Sequence, residues 1–308
     1  ALSMLGRHDA AIACADAAQR LLLAHGDTLS AGKVLHNLGS LHLRGDRYAE
    51  AAPRFREAAV LFAKHRDHEH SVMADIGLAD ALAAQGDPNE AAIMYARARK
   101  RAVAHGLPVL DTMAGESLAL LQLARGQYRD ALAGLEAARR GYEALQMPQY
   151  LAIAEKQLAD AYLELRLLPE ALAGFDAAIA RFGALGMQED LAWTLVQQGR
   201  ALALSGRAAA AQAALISAAE LFAAQDNKVG VAAVALARSE LALSRADAAQ
   251  ALALADDAAQ AFQQAGIIER RLRAEGLRAQ ALLGLGQTAA ARACFDRTLD
   301  AARRERLL

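Results

Sequence analysis

The chain has 308 residues, a formal net charge of -1, 55% hydrophobic residues and only 5% aromatics. Its charges are spread along the whole length, so no basic stripe is present to neutralise a phosphate backbone, and direct nucleic-acid binding is not expected. Uncharged stretches such as Ala208 to Ala219 fall well short of the ~20 apolar residues that span a bilayer, so no membrane segment is expected either.

The apolar excess is mostly alanine, and with five prolines and little β-branched alternation the composition predicts packed helices and no sheet. No Pro, Gly or Ser-rich linker divides the chain, which points to one continuous architecture over 1–308. The two cysteines, Cys14 and Cys294, are expected to be small buried thiols in a reducing cytoplasm.

In chain order, the pattern opens with a fragment of a helix, Ala1 to Leu5, and a turn at Gly6-Arg7. Helices of roughly 17 residues then start near Asp9, Tyr48, Asn89, Tyr128, Pro169, Ala208, Ala248 and Thr288, with a partner helix filling each interval. Turn signals before them include Gly86-Asp87-Pro88, Gly126-Gln127, Gly206-Arg207 and Gly286-Gln287, with Gly45-Asp46 offset by one residue. A second set of glycines, Gly26, Gly106, Gly186 and Gly266, ends the other helix of each pair.

These pairs repeat. Alanine stands at Ala11, Ala51, Ala91, Ala131, Ala171, Ala211, Ala251 and Ala291, forty residues apart each time. Four residues on, a column of mostly larger side chains reads Ala15, Phe55, Tyr95, Leu135, Phe175, Leu215, Ala255 and Phe295, and three further comes Ala18, Ala58, Ala98, Ala138, Ala178, Ala218, Ala258 and Thr298. Offsets of four and three put all three positions on one helix face, where two small residues admit a neighbouring helix and the bulky one fills the gap. The partner helices carry a large residue followed by a small one, as in Leu38-Gly39, Leu78-Ala79, Leu118-Ala119 and Leu158-Ala159.

With those columns the chain resembles the tetratricopeptide-repeat family, over nearly all of its length. It departs from the family pattern at Gln198, Arg238 and Arg278, which hold the large position, and in lacking the usual closing proline. The resemblance implies an all-α, right-handed α-solenoid of about seven full repeats plus a partial N-terminal one. Lengthened units of this kind look like those of MalT-type regulators, kinesin light chains and the repeats preceding CHAT caspase-like protease domains. Met147-Pro148 followed by Leu158-Ala159-Asp160-Ala161-Tyr162-Leu163-Glu164-Leu165 is most similar to the last group. The expectation is a cytoplasmic scaffold for a protein or peptide, the sensor or regulatory region of a larger bacterial protein such as a CHAT protease. A MalT-type transcriptional regulator is the alternative. The chain begins on a helix fragment and closes on Arg303 to Leu308 without a polar capping helix, so it is expected to be a segment joined to an effector domain. Exposed stack ends would also allow self-association.

No nucleophile–base pair, paired carboxylates or phosphate-cradling loop is present in the sequence, so no catalytic residue and no cofactor is expected. The run His65-Arg66-Asp67-His68-Glu69-His70 is dense in metal-binding types. Its spacing matches no defined zinc motif and it falls at a turn, so it is read as a solvated loop with no metal.

In the family, the first helix of each hairpin lines a concave face, which the resemblance carries onto three columns here. One reads Lys33, Met73, Met113, Ile153, Trp193, Ala233 and Arg273. The next reads His36, Ile76, Glu116, Lys156, Val196, Leu236 and Gly276, and the third Ser40, Asp80, Leu120, Asp160, Arg200, Glu240 and Gln280. The expected partner-binding residues are Met73, Met113, Leu120, Ile153, Lys156, Trp193, Val196 and Arg200. Trp193, Met113, Ile153 and Val196 would seat an apolar side chain of a peptide while Lys156 and Arg200 hold carboxylates. The competing expectation is that Trp193 and the methionines simply pack between adjacent first helices. The carboxylate clamp of chaperone-binding relatives is matched only by Asn37, with Met73 and Ile76 where basic groups belong.

Overall fold

The computed structural model describes residues 8–305. The expected helix fragment Ala1 to Leu5, the Gly6-Arg7 turn and the last three residues lie outside the described residues. The chain forms two compact units, residues 1–154 and 155–308.

The first unit contains α1 (His8–Ala24), α2 (Thr28–Arg44), α3 (Tyr48–Lys64), α4 (His68–Ala84), α5 (Pro88–Ala104), α6 (Pro108–Ala124) and α7 (Tyr128–Ala144), and the unit boundary falls within α8 (Pro148–Glu164). The second unit continues with α9 (Leu168–Leu185), α10 (Gln188–Leu204), α11 (Ala208–Ala224), α12 (Lys228–Ser244), α13 (Ala248–Gln264), α14 (Ile268–Gly284) and α15 (Thr288–Arg304). Among the described residues the secondary structure is helical throughout, in consecutive hairpins that bear out the sequence pattern.

The spacing comes from the turns. A residue with positive φ stands at every twentieth position from Gly26 to Gly286, eight of them glycine and six of them Asp46, Arg66, Gln146, Arg166, Asp226 and Ala246. The residue after each donates its backbone N–H five residues back, as in Asp27 to the Leu22 carbonyl at 2.9 Å and Arg47 to that of His42 at 2.9 Å. This bond closes a Schellman turn and satisfies a carbonyl that the helix end leaves free. The same residue begins the next helix. Asp27, Asp67, Asp87, Asn227 and Asp247 cap it by accepting an N–H three residues on. At Gly45-Asp46 the glycine is an ordinary helix end at φ -97°, and Asp46 holds the left-handed position. The turn is therefore in register with the others.

Packing follows the alanine columns. Ala51, Ala91, Ala131, Ala171, Ala211 and Ala251 are all fully buried, and so are Phe55, Leu135, Phe175 and Leu215 or nearly so. Phe295 departs from the expectation. It is 40% exposed, on α15, which packs on α14. Cys14 also departs, being exposed on α1, whereas Cys294 is buried with its thiol donating to the Glu275 carbonyl at 3.4 Å. A fourth column, absent from the sequence reading, holds the deepest aromatics: Phe62, Tyr142, Phe182, Phe222 and Phe262 are wholly buried at forty-residue spacing. Their rings need room in the facing helix, and a methyl at Gly230 would overlap the Phe222 ring. Within the first unit α2 touches α4 and α4 touches α6, and within the second α10 touches α12 and α12 touches α14. The first helices thus form a contacting row in each unit.

Two substitutions test this account of turn and core. Ala246→Gly relieves a left-handed alanine (φ 58°) and is expected to stabilise by about 0.5–1 kcal/mol in urea unfolding. Gly230→Ala overpacks against Phe222 and is expected to destabilise by about 1–3 kcal/mol.

Candidate peptide-binding site

In the second unit the row of first helices lines a cavity of about 570 Å³. Four expected residues, Lys156, Trp193, Val196 and Arg200, share it. They meet because 193, 196 or 197, and 200 fall on one face of α10, while residues 40 positions later present the equivalent face of α12. Val196, Ala233, Leu236 and Ala237 form a buried apolar floor.

Trp193 is half-buried at one wall. Its indole meets the Phe222 ring edge-on at 4.9 Å, and the Arg270 guanidinium lies over it at 4.7 Å. It packs against the buried clusters that include Phe222 and Phe262. The ring therefore both packs between first helices and faces the cavity.

The other wall is a hydrogen-bonded chain across four helices. Lys156 donates to Asp160 at 2.7 Å, and Gln197 donates to the other Asp160 oxygen at 3.1 Å. Arg200 donates to the Gln197 side-chain oxygen at 2.9 Å and to Glu240 at 3.2 Å, and Arg273 donates to Glu240 at 2.6 Å. Each charge in it has a partner of opposite sign, which holds the side chains in place. Lys156 and Arg200, expected to hold carboxylates of a ligand, are thus engaged with Asp160 and Glu240. Arg270 differs. Among the described residues its contact is the Trp193 ring and no carboxylate pairs with it, which leaves its N–H groups for a ligand. Asp190 and Glu269 complete the edge near it. Arg270, Asp190 and Glu269 were missed in the sequence, although Arg270 lies one helical turn before Arg273 and so on the same face.

The other four expected residues belong to the first unit. Met73 and Met113 are half-buried against the cluster containing Val72, Leu78 and Tyr95, and Met113 also packs beside Tyr142 and Leu151. Leu120 and Ile153 are half-buried on α6 and α8. The same columns hold two half-buried acids. Tyr95 donates its hydroxyl to Asp80 at 2.5 Å, and Tyr142 donates to Glu116 at 2.8 Å. Burial raises both carboxyl pKa values above the ordinary range, against the lowering effect of the tyrosine hydrogen bonds. One oxygen of Glu116 has no partner.

The histidine-rich run is divided among different contacts. His65 shares a hydrogen bond with Thr28 at 2.7 Å, His70 bonds Asp67 at 3.0 Å, and His68 stacks on His105 with ring centroids 3.6 Å apart. Among the described residues no group of three or more His, Cys, Asp or Glu could hold a metal ion. No described helix is long and apolar enough to cross a membrane.

No protein-family model matches the chain, and no curated protein matches it in sequence. Solved structures are similar in fold. RapI in its apo form is 13% identical with a TM-score of 0.74, covering 90% of this chain and 99% of its own. NprR in complex with its cognate peptide NprX is 16% identical with a TM-score of 0.62, covering 86% of this chain and 79% of its own. A signal transduction ATPase with numerous domains from Pyrococcus horikoshii, which has a tetratricopeptide repeat sensor, is 13% identical with a TM-score of 0.56. The match covers 95% of this chain and 42% of that one. The chain has the all-α fold of tetratricopeptide-repeat proteins.

The raised pKa of Glu116 means that the folded state holds its proton more tightly than the unfolded chain. Stability from this group is complete below the ordinary value of 4.5 and is lost as pH rises through the elevated one. Glu116→Gln keeps an acceptor for Tyr142 and removes the charge. It is expected to raise the melting temperature near pH 7.5, with the gain shrinking as pH falls toward 4.5. A loss of stability at pH 7.5 would contradict the assignment.

Proposed function

We propose that this chain is a binding scaffold for a peptide or an extended protein segment, and that the cavity beside Trp193 is its ligand site. The observation that carries the proposal is the Trp193–Arg270 pair at the edge of an apolar floor: a ring, an apolar seat and a cation that no carboxylate pairs with among the described residues converge at one cavity. A ligand side chain rests on Val196 and Leu236, and Arg270 turns from the indole to a ligand carboxylate or carbonyl. The wall from Lys156 to Arg273 is already satisfied by its own hydrogen bonds, so its part is to shape and orient. Fold likeness to NprR, whose structure holds its cognate peptide, agrees with a peptide ligand.

Met73, Met113, Leu120 and Ile153 are proposed as a separate contact surface of the first unit. We further propose that residues 1–308 act as one scaffold within a larger cytoplasmic bacterial protein, as its sensor or regulatory region. The resemblance of the forty-residue unit to CHAT-associated repeats supports a caspase-like protease as the effector. The fold likeness to a signal transduction ATPase with a tetratricopeptide sensor favours the MalT-type alternative.

Selection of peptides from a displayed random library, followed by calorimetry, tests the site. Trp193→Ala and Arg270→Glu are each expected to weaken a selected peptide at least about tenfold, a loss of ~1.4 kcal/mol or more, while circular dichroism stays helical. Unchanged affinity in both folded variants would remove the cavity as the ligand site. Loss of cooperative unfolding in Trp193→Ala would assign the indole to the core alone, leaving Arg270→Glu to decide the site.

A further inference from the structure

A second cavity, of about 780 Å³, opens over α12 between α11 and α13, lined by a different set of residues from those beside Trp193. Its origin is visible when the hairpins are compared position by position. In the first unit, Asp75 on α4 is fully buried and bracketed by Arg97 and Arg101 from α5, with Arg101 at 2.6 Å. Nearby, His68 stacks on His105. The residues 160 positions later are Ala235, Asp257, Ala261, Lys228 and Ala265, and all five line the cavity. A carboxylate, two guanidinium arms and a pair of stacked rings have been exchanged for three alanines, one lysine and one aspartate. The space they would fill is left open. One and two repeats earlier the equivalent positions are occupied, by the core-packed Leu195 and Leu221 and by Glu155 with Arg181 at 2.8 Å, whereas one repeat later Glu275, Arg297 and Ala301 line a smaller opening of about 310 Å³.

We propose that this groove is a binding site for a compact, largely apolar small molecule with no net charge. The floor is apolar: Phe222, Ala232 and Val234 are buried, and Val231, 42% exposed, faces solvent beside them. The volume falls within the roughly 300–1,000 Å³ of small-molecule sites. The charged lining residues, Asp226, Asp257, Lys228 and Arg238, cancel in sign, which disfavours a strongly anionic or cationic ligand. The groove shares no lining residue with the smaller opening one repeat later. Leu195 and Leu221 fill the equivalent place one repeat earlier, so no continuous channel is offered to a partner helix.

The neutral fluorophore N-phenyl-1-naphthylamine is the probe. On titration its emission is expected to rise and saturate near one probe per chain. The triple substitution Ala235→Asp, Asp257→Arg, Ala261→Arg restores the filling seen around Asp75 and is expected to weaken probe binding at least tenfold. Should that variant fail to fold by circular dichroism, Ala261→Phe, which places one ring in the groove, decides with the same expected loss. Arg270→Glu, in the other cavity, is expected to leave probe binding unchanged. The proposal is overturned by the absence of a saturable rise, by wild-type affinity in a folded filled variant, or by loss of binding in Arg270→Glu. Because probe and peptide report on separate cavities, failure here leaves the peptide-site proposal standing.

Discussion

A left-handed residue at every twentieth position, each closing one helix and delivering the chain to the cap of the next, is the constraint from which the rest of the architecture follows. The i to i−5 hydrogen bond after it ends the helix at a set length, seventeen residues in all but α9 with eighteen, so successive helices cannot drift in register. Where glycine is absent from that position, as at Arg66, Arg166 and Ala246, the turn keeps the same form. Packing of the flanking helices outweighs the ~1–2 kcal/mol steric cost of a left-handed side chain.

Constant helix length turns sequence spacing into spatial equivalence. A position forty residues on lies on the same face of the same kind of helix, so each hairpin offers a fixed set of sites that evolution fills differently. The equivalents of residue 62 take Phe, Tyr or Ala and are buried from Phe62 through Phe262. The equivalents of residue 75 range from Asp75 with two arginines, through Glu155 with one, to Ala235 with an open groove. Phe222 belongs to both outcomes, since its ring meets Trp193 on one side and lines the groove over α12 on the other.

Much of the lining of the candidate site was legible. Three columns projected from the repeat include Lys156, Trp193, Val196, Arg200, Ala233, Leu236, Glu240 and Arg273, all of which line one cavity. The resemblance to tetratricopeptide repeats implied which positions face inward, and the forty-residue period carried them along the chain. Arg270 was missed because its significance lies in the Trp193 ring beneath it and in the absence of a carboxylate beside it, neither of which is a property of spacing. The pairing of Lys156 with Asp160 and of Arg200 with Glu240 was not drawn from the sequence, although an offset of four on one helix and a shared column at forty-residue spacing placed these residues side by side.

The amino-acid sequence by itself determined the hairpin order, the helix limits to within a residue or so, and the small–large–small face of each second helix. These are encoded locally, by caps, turns and offsets of three and four, and need no knowledge of distant neighbours. Only the tertiary structure decided which alanines leave a groove and which acid is neutralised by arginine. It also decided that Phe295 and Cys14, matching their columns or composition, stand at the surface. The physical reason is that burial and charge pairing depend on what the next helix places opposite a residue, which a repeated pattern specifies in kind but not in volume or sign.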